Sequence, residues 1–310
     1  MSRIDTHHDL LTYYGHQTPN STPGQNEAMY GALPDEVADL CGVVQNALLH
    51  LFWIGPESCG FTLDQLKTMG RRPCQEFSVG PIADRLAALR KMDGKPLSAS
   101  RPAEDRSIGC CRDFALLLTS MLRHKGIPAR VRTGVARYLR PGEDYLEDHY
   151  ITEFWNAGQE KWQLVDPQID AFQRVAMKID FDTTDIERSR FITGTALLPV
   201  LRAGEIKPEH VGFPPVNAGL TYGRNKLFHD FLNLVGQEIR VYAWWGIGDP
   251  KQPIRPEDDL LLDRMIELAE GIESNNPDAL GAAIELAASD DRLVRPADYS
   301  PGEWSAPGFC

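Results

Sequence analysis

The stretch Ser107 to Thr133, SIGCCRDFALLLTSMLRHKGIPARVRT, constrains this chain more than any other part of it. Phe114, Ala115, Leu118, Met121 and Leu122 recur with a period of about 3.6, which predicts a helix with one apolar stripe beginning at Cys111. Gly126 is placed to cap its C-terminus, and Pro128 prevents continuation. Ala129 to Leu139 then reads as a strand, with Val131, Thr133 and Val135 alternating against Arg130 and Arg132. Two adjacent cysteines, Cys110 and Cys111, stand where the helix should start.

A thiol at that position is chemically favoured. The thiolate, not the thiol, is the nucleophile. A helix N-terminus offers unpaired amide hydrogens and the positive end of the peptide dipoles. A nearby imidazole can hold the proton, and that imidazole needs an orienting acceptor in turn. The chain supplies both downstream. Arg140 to Asp144 reads as a turn, Asp148 to Asn156 as a second strand, Ala157-Gly158-Gln159 as another turn, and Lys161 to Val165 as a third strand ending at Asp166-Pro167. Short turns between strands imply an antiparallel sheet. His149 opens the second strand and Asp166 ends the third, so hairpin pairing brings them to one sheet edge. The cysteine helix packed there would complete a Cys-His-Asp triad from one of the two cysteines, His149 and Asp166, provided the register is not shifted.

The rest of the chain frames this core. Residues 1–33 are polar and read as an irregular arm. A helix follows Pro34, with Val37, Leu40, Cys41, Val44, Leu48 and Leu51 on its apolar face, and Cys41 and His50 read as packing residues. A capping box at Thr62-Gln65 and a helix after Pro81 come next. Residues 92–106 read as a loop bordering the site. Gly223 to Val241, Pro256 to Gly271 and Pro277 to Ala288 read as helices. The expected organisation is an arm (1–33), a catalytic core (34–170), a mostly helical extension packed on the core (171–290) and a tail (291–310). Arg130 and Arg132 read as a solvated sheet face, and Trp244 and Trp245 as core or groove wall.

Composition removes several function classes. The formal net charge is −12 with no long basic run, which disfavours nucleic acid and anionic membrane as partners. No run of about 18 apolar residues is present, and the N-terminus lacks the pattern of an export signal, so a cytoplasmic protein with reduced thiols is expected. The spacing of the six cysteines forms no zinc motif.

The motif G-C-C-R-D-F-A, followed by an apolar helix and G-I-P-A-R, resembles the cysteine segment of the transglutaminase-like superfamily. By that pattern Cys111, not Cys110, matches the nucleophile. His149 in D-H-Y-I-T-E-F and Asp166 in W-Q-L-V-D-P match the His and Asp segments, in order, over about Arg106 to Gln168. The sequence departs from the family in carrying Tyr150-Ile151 after the histidine and a doubled cysteine. Arg106-Ser107-Ile108-Gly109 lacks the Arg-Gly-Gly of arylamine acetyltransferases, which share the triad. Shorter pieces, His210-Val211-Gly212-Phe213, Gly223-Arg224-Asn225 and Trp244-Trp245-Gly246, resemble the C-terminal parts of bacterial transglutaminase-like proteins and name no activity.

The resemblance implies an α+β fold with a papain-like transglutaminase core, its cysteine helix packed on an antiparallel sheet, and extra N- and C-terminal helices. It implies a cysteine-dependent amide hydrolase or acyltransferase that works through a thioester. The expected partner is an amide- or acyl-bearing substrate (peptide, protein or small molecule), with no metal or organic cofactor. The alternative is an inactive binding or scaffold protein that keeps the fold.

Overall fold

The computed structural model describes Ile4, residues 6–213 and residues 217–300; the end of the expected tail, Cys310 included, lies outside the described residues. The stretch expected to be an irregular arm begins with a helix, α1 (His7–Gly15). Thr6 Oγ1 accepts the Asp9 N–H at 3.1 Å and Asp9 Oδ2 accepts the Thr6 N–H at 3.0 Å, a reciprocal cap that a reading by Gly and Pro content overlooks. Tyr14 on its buried face donates its hydroxyl to the Leu234 carbonyl at 2.8 Å.

The helix expected after Pro34 splits in two. α2 (Val37–Ala47) ends early, and Leu48–His50 forms a strand, β1. The cause is tertiary. β1 pairs in parallel with β2 (Ser107–Gly109), setting His50 opposite Gly109. Three short helices lie between them: α3 (Pro56–Cys59), α4 (Leu63–Thr68) and α5 (Pro73–Phe77). The expected Thr62-Gln65 capping box opens α4, with the Gln65 N–H on Thr62 Oγ1 at 3.2 Å. α6 (Ile82–Asp93) buries the predicted face of Ile82, Leu86 and Leu89. The loop after it is held by Arg101, buried, which donates to the carbonyls of Lys95, Pro96, Leu97 and Ala99 and pairs with Asp93 at 3.1 Å.

The central layer is α7 (Cys111–His124) on a sheet formed by β3 (Ala129–Ala136), β4 (Glu147–Asn156), β5 (Lys161–Val165) and β6 (Phe191–Thr193), in the order β5-β4-β3-β6. All three pairings are antiparallel. The molecule is thus α+β, with the cysteine helix against an antiparallel sheet. The fourth strand is too short, at 3 residues, to show a period in sequence. Phe114, Leu117 and Leu118 of α7 meet Val131, Tyr150 and Phe154 of the sheet, and Thr152 Oγ1 donates to the Ala115 carbonyl at 2.8 Å. Each fully buried leucine here contributes about 2 kcal/mol by removal from water.

Beyond the sheet come α8 (Ala171–Ala176), α9 (Gly194–Arg202), α10 (Gly219–Leu234), α11 (Asp259–Glu273) and α12 (Pro277–Ser289). The buried faces of α9 to α12 form a second apolar cluster around Phe228, Phe231, Leu262 and Leu280. Arg130 and Arg132 do not face solvent as expected; both are fully buried. Arg130 Nε lies 2.7 Å from Glu153 Oε2, and its guanidinium stacks over Trp162 at 4.1 Å from the ring centre. Arg132 joins the same Glu153 oxygen at 2.9 Å and Asp230 of α10 at 2.8 Å, and also meets Glu273 of α11. Alternation hid this because an arginine inside a charge network and one in water look identical in sequence.

Candidate active site

The start of α7 is fixed by a buried carboxylate. Asp113 Oδ2 accepts the Cys110 N–H at 2.9 Å and pairs with Arg85 at 3.1 Å, while Asp113 Oδ1 lies 3.2 Å from Arg112. Gly109 makes the approach possible: a Cβ there would come within 2.7 Å of Asp113 Oδ2. Asp113 therefore caps and orients the helix start. The two cysteines separate by burial. Cys110 is buried against Leu49, Phe77 and Ile108, whereas Cys111 is partly exposed. As the first helical residue, Cys111 has an N–H with no acceptor within the helix.

The hairpin register places the other two residues. Thr152 pairs with Val165, so continuing one step sets Asp166 opposite Ile151, which shares a strand face with His149. His149 Nε2 and Asp166 Oδ2 are 2.7 Å apart, both groups buried. That bond leaves Nδ1 for the thiol, and the Cys111 and His149 side chains are within hydrogen-bonding reach. The structure thus brings Cys111, His149 and Asp166 together. Asp166 is itself held: its Oδ1 accepts the Gln168 N–H at 3.0 Å, and its Oδ2 accepts the Tyr138 hydroxyl at 2.9 Å. Burial and the Asp166 charge push the Tyr138 phenol well up, which keeps it a donor.

Two participants escaped the sequence reading. Tyr138 lies just past β3, where it read as an ordinary strand residue. His50 read as packing on a helix, yet β1 carries it to Cys111, within side-chain hydrogen-bonding reach of the thiol. Its ring also packs against Phe52 and Phe114, with centres 5.7 and 6.1 Å away. No local signal marks His50, because the parallel pairing that delivers it joins segments far apart in the chain.

The electrostatics separate the two thiols further. The Cys110 thiol, donating to its neighbour, most strongly lowers Cys111 well below the usual thiol value; burial opposes this, and His149 and His50 add to the lowering. Cys110 is driven well up by the bond it gives Cys111, then by burial and by Asp113. For His149, burial pulls down, but the Asp166 charge and hydrogen bond together with Cys111 outweigh it and raise the imidazole to about 10. Both shifts favour the thiolate–imidazolium form of the pair.

A groove beside His50 is lined by Trp53, Arg106, Phe114, Gln168 and Phe172. The 92–106 loop reaches it only through Arg106, and segments around 45–59 and 168–173 form most of the walls. His50 Nδ1, Gln168 Oε1 and Gln173 Oε1, all groove residues, are buried without hydrogen-bond partners. Among the described cysteines Cys41, Cys59, Cys110 and Cys111 are free, but Cys74 is disulfide-bonded, against the expectation of reduced thiols. Among the described residues no group of three or more His, Cys, Asp or Glu could hold a metal ion, and no helix is long and apolar enough to cross a membrane.

Residues 89–167, about a quarter of the chain, match the family model described as the transglutaminase-like superfamily. Among solved structures, one similar chain is a candidate cysteine protease from Cytophaga hutchinsonii, 16% identical with a TM-score of 0.29. The similarity spans 51% of this chain and 42% of that one. No curated protein matches.

Proposed function

We propose that this chain is a cysteine-dependent enzyme acting on an amide or other acyl bond. The observation that carries this is the His149–Asp166 bond of 2.7 Å together with a partly exposed Cys111 whose thiol is lowered in part by His149 and His50. In this reading Cys111 Sγ attacks the substrate carbonyl carbon. The oxyanion that forms is met by the Cys111 N–H, which has no acceptor within the helix. His149 Nδ1 gives its proton to the leaving amine, and the carbon–nitrogen bond breaks to leave a thioester. The imidazole, now neutral, takes a proton from water or from an acceptor amine as that nucleophile attacks, and the thiolate departs. Asp166 holds the ring throughout and stabilises its charged form. Every step uses groups of the chain itself.

The unpartnered carboxamide oxygens of Gln168 and Gln173 suit N–H donors on a peptide, protein or small amide substrate. Hydrolysis is the outcome when water reaches the thioester, and transamidation when an amine does so first.

Trapping tests the proposal. Incubation with cell extract, followed by mass spectrometry, should find an acyl adduct on Cys111. Turnover should fall by about 10³-fold or more in Cys111→Ala and by far less in Cys110→Ala, which removes a thiol that lowers Cys111 but leaves the nucleophile. Loss in Cys110→Ala alone would assign the nucleophile to the wrong neighbour. Iodoacetamide at pH 6 should modify Cys111 well before Cys41 or Cys59; equal rates would end the activated-thiol reading.

A further inference from the structure

Two of the sequence pieces that the Cys111 site leaves unused, around Arg224 and Gly246, meet in a separate cleft of about 200 Å³. Its walls are Arg224 of α10, the 246–249 loop, Arg255 and Asp258 before α11, and Arg292 after α12. Three guanidinium groups therefore converge from segments far apart in sequence.

Arg224 is the anomaly. It is 1% exposed, and its hydrogen bond in the structure is the one Nη2 donates to the Asp249 carbonyl at 2.6 Å. Its Nε has no partner, and no carboxylate of the described residues pairs with it. A buried charge is tolerated when another charge or a full set of acceptors meets it. The nearby carboxylates are engaged elsewhere. Asp258 takes Arg255 at 3.4 Å and lies 3.5 Å from Arg292, and Asp290 holds Arg292 through Nη2 at 2.8 Å and Nε at 3.0 Å. Asp249 turns an oxygen to the Lys251 N–H at 2.9 Å. Burial consequently lowers the Arg224 pKa, with only partial relief from Asp258 and Asp249.

The cleft is also built to a fixed shape. Gly246 has φ of +49°, and a Cβ there would fall 2.1 Å from the Arg292 carbonyl oxygen. That close approach lets the Ile247 N–H donate to the same oxygen at 3.1 Å, tying the loop to the Arg292 backbone. Asn225, next to Arg224, donates to the Gly248 carbonyl at 2.7 Å and ties the same loop to α10.

We propose that this cleft binds a small anion, a phosphate or carboxylate group, through the free edge of Arg224 with Arg255 at the rim. The planar fork of arginine matches either group. The volume admits such a group with a few waters but falls below the range of about 300–1,000 Å³ that larger ligands occupy.

The test is calorimetric titration of the full chain, in low-chloride buffer, with inorganic phosphate and separately with malonate. One or both should bind saturably at one site per chain and raise the melting temperature. Preference for phosphate or for malonate identifies the source chemistry. Arg224→Met should weaken binding by about tenfold or more, the loss expected for a charge-assisted bidentate contact. Should that variant fail to fold, Arg255→Gln on the exposed rim takes its place and should weaken binding several-fold. The active-site variant Cys111→Ala should bind the anion as the parent does. No saturable binding of either anion up to about 50 mM, a range covering millimolar dissociation constants, overturns the proposal. So does unchanged affinity in Arg224→Met or, if that variant does not fold, in Arg255→Gln.

Discussion

At the scale of single residues, the site depends on contacts that no pairwise motif contains. Gly109 is one. Any side chain there meets Asp113, the carboxylate that holds the Cys110 N–H. Gly109→Ala is expected to cost about 1–3 kcal/mol in urea denaturation, the usual penalty for overpacking, and to slow Cys111 alkylation as the helix start shifts. His50 is another. Replacing it by Phe keeps a ring against Phe114 but removes one of the groups that lower the Cys111 pKa. The pH profile of iodoacetamide labelling should then move upward, with folding intact by circular dichroism. An unmoved profile would reduce His50 to packing. Asp166→Asn should cut turnover by about 10²–10⁴-fold, by weakening the hold on the charged ring, while substrate binding changes little. Cys111, His149 and Asp166 were legible because each lies inside a short run with its own pattern of small, polar and apolar neighbours. His50 and Tyr138 were not, because what makes them special is the neighbour they reach and not the residues beside them.

At the scale of elements, the sequence reading was best where periodicity was long. The cysteine helix, its stop at Gly126 and the β4–β5 hairpin all follow from apolar spacing and turn residues. It failed where pairing partners are distant. Leu48–His50 carries a helical pattern and is nonetheless a strand, since Ser107–Gly109 offers it backbone partners. The three residues of β6 are recruited by the exposed edge of β3 in the same way. The loop before β2 shows a different kind of hidden order. Arg101 serves four carbonyls and Asp93 at once. Arg101→Ala should destabilise the protein by about 3–5 kcal/mol, the cost of breaking a buried ion pair. A loss below about 1 kcal/mol in denaturant titration would show the loop to be independent of that side chain.

At the scale of the whole molecule, the paired charges of the site enter the stability. The His149 imidazole is raised to about 10, above its unfolded value near 6.5. Its contribution is therefore full below about pH 6.5 and is lost as pH climbs through 10. Cys111 is lowered, so its contribution is present above the unfolded thiol value and is lost as pH falls through the folded one. The two contributions oppose one another between about pH 6.5 and 8.5, so the melting temperature should change little there and decline from about pH 8.5 to 10.5, and His149→Asn should flatten that decline. A parent curve without slope in this window would contradict the charged-pair assignment.

Arg132 has one last consequence, for what can be borrowed from this protein. It reaches from the central sheet to Asp230 and Glu273, on helices well beyond the matched segment. A chain cut after the hairpin would keep the cationic side chain and forfeit two of its three carboxylates. The matched segment is thus no portable cassette: lifted into another scaffold, it would carry an orphaned charge at its centre, and a graft would need either the α10–α11 pair or a neutral residue at position 132.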